Sequence, residues 1–138
     1  MLTITATYKG APEYDVGYFE FFRLRSAIAR TVSDEFGEHY AGMIREIFTM
    51  KTGLYDKETT RLIRKYHVKA NLQEFLYQSD SDGKLTPAKC RDLLLQIRGM
   101  TTNELFGRKE HPERCITIPR LRELLVECID RKASVIWY

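Results

Sequence analysis

The sequence predicts a mainly α fold, a helical domain with a short β element joining its two ends. Three observations predict it. Apolar residues recur at helical spacing through most of the chain, both ends alternate or run as short β-branched and aromatic stretches, and Pro, Gly and Asp punctuate the segments between. The chain has 138 residues, 43% hydrophobic and 30% charged, enough for one core without disulfide staples, so residues 1–138 are read as one domain.

The elements follow in order. Leu2, Ile4, Ala6 and Tyr8 alternate with Thr3, Thr5 and Thr7, a strand with one buried face. Gly10, Pro12 and Gly17 then break the chain. Phe21, Leu24, Ile28, Val32 and Phe36 predict one helix over residues 18–36, stopped by Gly37. A second helix is expected over about 39–51, carrying Tyr40, Met43, Ile44 and Ile47 and closed by Gly53. Asp56 is the expected cap of a third, with Thr59, Leu62, Ile63 and Tyr66 on its apolar side. A short helix is expected over 70–77, on Leu72, Phe75 and Leu76.

After the turn at 79–83, Thr86-Pro87 starts a helix with Cys90, Leu93, Leu94 and Ile97 on one face, ending at Gly99. Residues 107–116 read as a polar connection. Thr117 and Pro119 open the last helix, whose Leu121, Leu124, Leu125, Cys128 and Ile129 give the clearest amphipathic pattern. Residues 134–138 read as a terminal strand that pairs with 2–8, which covers an otherwise exposed apolar edge.

The net charge is +3, with 11 basic against 9 acidic residues in 1–69 and 11 against 10 in 70–138. The basic excess is therefore weak and evenly spread, and no element is expected to concentrate it as a dedicated duplex binder does. The three cysteines, Cys90, Cys115 and Cys128, have no CxxC spacing and read as reduced thiols. No leader pattern follows Met1 and no apolar run nears the ~20 residues of a membrane helix, so the expectation is a cytoplasmic protein without a membrane partner.

The segment from Phe75 to Pro87, containing Ser79-Asp80-Ser81-Asp82-Gly83, resembles an EF-hand loop. With Gly83 at the sixth position, Asp80 and Asp82 fall at the third and fifth and Leu85 at the eighth. The first and twelfth positions hold Gln78 and Lys89 where carboxylates belong, so the loop is expected to keep the shape without calcium. Asp80 and Asp82 are the only metal candidates, and no other cofactor is indicated. Cys115 to Pro119 echoes Lys84 to Pro87, which suggests a second EF-like loop within 109–120 that bridges the first through Leu85 and Ile116.

The wider layout resembles a group of small bacterial and phage-associated proteins. Phe21-Phe22-Arg23-Leu24-Arg25, the SDSDG segment, Leu85-Thr86-Pro87 and the stretch from Cys128 to Tyr138 carry the resemblance. It implies a shared fold and an intracellular, prophage-related setting, and supplies no mechanism.

No GxxxxGK[ST], GxGxxG or GxSxG motif is present, and nucleophile, base and oxyanion donors do not assemble into a set. His39 and His67 read as solvated or capping side chains. His111 and Cys115 are four apart, but Pro112 argues against the helix that would align them. The expected function is therefore a non-enzymatic interaction or regulatory module with a protein partner, using a groove between the EF-like helices. The alternatives are weak calcium binding and single-stranded nucleic-acid binding, the latter through Arg23, Arg25 and Arg30 among the aromatics of the first helix. A second basic cluster, Arg61, Arg64 and Lys65, lies further on.

Overall fold

The computed structural model describes residues 1–43 and 57–138. The expected helix beyond Met43, its closure at Gly53 and the Asp56 cap lie outside the described residues.

The two chain ends build the sheet. β1 (Leu2–Ala6) runs antiparallel to β4 (Val135–Trp137), with Ile4 opposite Trp137 and Ala6 opposite Val135. Two further strands extend the expected pair to four. β2 (Tyr14–Val16) pairs on the other side of β1 and β3 (Gly83–Leu85) on the other side of β4, giving the order β2-β1-β4-β3. At three residues each, β2 and β3 are too short to show a period in the sequence.

The helix expected over 18–36 is two helices. α1 (Tyr18–Ala29) ends at Arg30, and α2 (Asp34–Gly42) begins after Ser33, whose Oγ accepts the Phe36 amide at 2.9 Å. Asp34 and Glu35 in the first turn complement the helix dipole. Gly37 is not a stop but an interior residue of α2. A Cβ there would overlap Arg30, so glycine is what lets α2 fold back against the end of α1.

α3 (Lys57–Lys65) buries Thr59 and Leu62 and is tied to α2 by polar contacts. His39 Nε2 lies 2.7 Å from Thr59 Oγ1. Lys65 and Tyr66 both donate to Glu35, at 2.8 and 2.9 Å, and hold its carboxyl below the usual carboxylate range. This tie is complete above that range and is lost as acid protonates Glu35.

α4 (Ala70–Tyr77), α5 (Pro87–Ile97) and α6 (Ile118–Arg131) fall where the periodicity places them. α5 and α6 make the largest helix contact, through Cys90, Leu93 and Ile97 on one side and Leu121, Leu124, Leu125 and Cys128 on the other. The Cys128 thiol, hydrogen-bonded to Cys90 and buried, is pushed far above its usual range. Buried residues from both sheet and helices join one core that includes Phe21, Phe75 and Trp137.

α6 begins at Thr117, whose Oγ1 accepts the Arg120 amide, and ends at Lys132 in the left-handed conformation, φ 54°. The Ala133 amide then bonds back to the Cys128 carbonyl at 2.9 Å, the closing pattern that favours glycine at the left-handed position. Lys132→Gly is therefore expected to raise stability by about 1 kcal/mol, read as a higher urea midpoint at unchanged slope.

The second EF-like loop is not formed. Leu85 pairs with Val135, and Ile116 bridges Phe106 instead of Leu85. Residues 112–114 form a single 3-10 turn, and Cys115 and Ile116 are buried.

Candidate functional site

The loop that resembles an EF-hand is organised by an arginine. Arg25 follows Leu24 on the inward side of α1 and is only 6% exposed. Its guanidinium lies over the ring of Phe21 at 4.2 Å, with Trp137 at 5.6 Å and Phe75 at 5.8 Å. One of its terminal nitrogens donates to the Gln78 carbonyl at 2.9 Å. Burial lowers its pKa, while Tyr40 and Asp80 oppose that shift. Trp137 Nε1 donates to the neighbouring Ser79 carbonyl at 2.8 Å.

The Gln78 side chain completes the loop. It accepts from the Lys84 amide at 2.9 Å and donates to the Lys84 carbonyl at 3.0 Å, as a strand neighbour would. Two carbonyls at the start of the loop are thus engaged by a cation and an indole of the protein itself. Asp80 and Asp82 point into solvent-exposed positions, and no group of three or more His, Cys, Asp or Glu side chains suited to a metal occurs among the described residues. Millimolar calcium is expected to leave the thermal midpoint unchanged; a rise abolished by Asp82→Ala would overturn this account of the loop.

The arginines named as nucleic-acid candidates are not one patch. Arg25 is buried. Arg23 is half-buried and ion-paired to Glu20 at 2.9 Å and to Glu104, with its guanidinium 5.6 Å from the Phe106 ring centre. Arg30 is exposed and has no ion pair among the described residues.

Arg23 and Arg30 do share a feature that the periodicity did not single out. The outward side of α1 lines an open groove of ≈ 460 Å³, whose lining includes Glu104 and, from this helix, Phe19, Phe22, Arg23, Ala27 and Arg30. These residues recur at i, i+3, i+4, i+8 and i+11, one continuous helical stripe. Phe19 is 61% exposed. Phe22 beside it is held by stacking on Tyr40, ring centres 5.4 Å apart and planes 11° from parallel. The groove therefore has a fixed aromatic base, a freely exposed aromatic, and a guanidinium at one end. The signal was present in the sequence, because Phe19 and Phe22 fall off the Phe21, Leu24 and Ile28 stripe that faces the core.

The histidines and Cys115 lie outside this groove. His111 is exposed near Glu113, 3.8 Å away. Cys115 is buried, its thiol donates to the Arg108 carbonyl at 3.1 Å, and burial pushes its pKa up. His67 takes the left-handed conformation, φ 51°, that ends α3.

Fold and site together define a small α-rich protein with a sheet made from its two ends and an aromatic groove along its first helix. No family model, curated protein or solved structure matches the chain. No described helix is long and apolar enough to cross a membrane.

Proposed function

We propose that the protein is a non-enzymatic interaction module whose α1 groove takes a peptide segment of a protein partner. The observation that carries this reading is the exposed Phe19 beside the fixed Phe22 ring, with Arg30, which has no ion pair among the described residues, further along the same groove. Covering an exposed aromatic contributes roughly 1.5–3 kcal/mol, and aromatic and arginine side chains are the usual centres of such interfaces. The occupant is set by charge: Arg23 is already neutralised by Glu20 and Glu104, so the cation left to answer is Arg30. The fitting segment places an apolar anchor on Phe19 and Phe22 and a carboxylate against Arg30.

Three buried free thiols support a reducing, cytoplasmic setting, in keeping with the intracellular, prophage-related one the resemblance implies.

Selection of a peptide display library on the immobilised full chain tests the reading. The expected peptides carry an aromatic or branched apolar residue close to an Asp or Glu, and lose at least tenfold in affinity on Phe19→Ala. Peptides without that pattern, or binding indifferent to Phe19→Ala, would remove the groove as the site.

A further inference from the structure

The even balance of charge between the chain halves conceals a local concentration. Residues 57–69 hold five basic side chains, Lys57, Arg61, Arg64, Lys65 and Lys69, against the single acid Glu58. That segment is net +4 in a chain that is net +3, so the rest of the molecule is net −1. The structure places most of this charge on one helix. Lys57, Thr60, Arg61 and Arg64 line an open groove of ≈ 370 Å³ on α3, at i, i+3, i+4 and i+7. Lys57, Arg61 and Arg64 are exposed.

Not all of these cations are available to a ligand. Arg61 is held by Glu58 through two bonds, of 3.0 and 2.5 Å, and Lys65 by Glu35 at 2.8 Å. Lys57 and Arg64 have no ion pair among the described residues. These two exposed cations stand at the ends of the row, about 10.5 Å apart along the helix axis at the usual rise per residue, with the Arg61 fork between them.

From this face we infer a second binding surface, distinct from the α1 groove and independent of it: α3 contacts the phosphate backbone of a nucleic-acid duplex. The chemistry around the row selects that occupant. The face offers charge and, among the described residues, lacks an apolar anchor, since Leu62 is buried and Ile63 half-buried. A protein interface builds on an apolar centre that excludes lysine, and a membrane-surface helix needs an apolar face to insert. A single strand is gripped by stacking, and among the described residues the ring next to the row, Tyr66, is half-buried with its hydroxyl committed to Glu35. A duplex presents one negative charge per ~1.7 Å of axis with its bases turned inward, and so matches a row of exposed cations along one helix face.

Fluorescence anisotropy of the full chain with a labelled 20-base-pair DNA duplex, from 25 to 200 mM salt, tests the inference. A 20-nucleotide single strand and vesicles with 30% phosphatidylserine are the comparison probes. Binding is expected at low salt, insensitive to base sequence, with a log–log salt slope of about −2 to −3 for two or three phosphates. Lys57→Gln with Arg64→Gln should weaken it at least tenfold and flatten the slope by about 2, while the circular dichroism melt stays at the wild-type temperature. Phe19→Ala should leave duplex binding unchanged, which separates this surface from the α1 groove. Absence of duplex binding at 25 mM salt, or binding unmoved by the double variant, would overturn the inference. So would tighter binding to the single strand or to the vesicles.

Discussion

Gly83→Ala is expected to destabilise the protein by about 3 kcal/mol, at the upper end of the effect of overpacking. A Cβ at Gly83 would occupy the indole ring of Trp137, so the demand at this position is for space and not for an unusual backbone angle. The ring cannot retreat without loss. It is 1% exposed, its centre is 5.6 Å from that of Phe21 and 5.9 Å from that of Phe75, and its Nε1 holds the Ser79 carbonyl. Displacing it would also separate Gly83 from Trp137 in the β3–β4 register. The measurement is a thermal melt, with a fall of roughly 4 °C per kcal/mol for a chain of this size. Trp137→Phe should cost less in the Gly83→Ala background than in the wild type, because the smaller ring yields the space the methyl needs. Additive losses would show that Gly83 matters for some other reason.

The second large effect is at Arg25. Arg25→Ala is expected to cost about 3 kcal/mol, since it opens a cavity among Phe21, Phe75 and Trp137 and leaves the Gln78 carbonyl without its donor. Arg25→Met should cost only about 1–2 kcal/mol, because the thioether chain refills the aromatic cage while the charged hydrogen bond is still lost. Denaturant midpoints of the two variants decide the order. Equal losses would mean that the bond to Gln78, and not the packing of the stem, is what Arg25 contributes. In both variants amide exchange at 78–82 should speed up more than in α6, since Arg25 anchors the start of that loop.

These two positions also show what could and could not be read in advance. The strand at 2–6, the helices at 70–77, 87–97 and 118–131, and the pairing of the two chain ends were legible, because each rests on a sustained apolar period or a Thr-Pro start. The break between α1 and α2 was hidden because Val32 and Phe36 keep the spacing across it; the Ser33-Asp34-Glu35 start signal was the local cue. Gly37 and Gly83 are set by partners that the fold brings against them, Arg30 across a helix turn-back and Trp137 across the sheet, which no local pattern records. Arg25 was open to a better reading. It stands at i+4 from Phe21 and i−3 from Ile28, inside the buried stripe, and only the usual expectation that arginine is solvated placed it outside. The groove was legible in the complementary way, as aromatics on the face of α1 that the core does not use. The basic row on α3 disappears when charge is summed over halves and emerges when it is summed over one helix face.

The α1 groove and the α3 row call for different kinds of evidence. Binding at α3 should fade with salt, whereas binding at the groove, built on two aromatic rings and one cation, should persist at 200 mM. Charge reversal at Arg64 is expected to leave peptide affinity unchanged, and truncation at Phe19 to leave duplex affinity unchanged.

The most direct test of the central claim is a double-mutant cycle on the groove. A peptide recovered by selection would be titrated calorimetrically against the wild type and Arg30→Glu, with its acidic residue intact and replaced by Lys. Each single change is expected to weaken binding, the two together to restore much of it, and the coupling to reach about 1 kcal/mol or more. A coupling near zero would mean that Arg30 does not meet the peptide's carboxylate and that the proposed seating of the partner in the α1 groove is wrong.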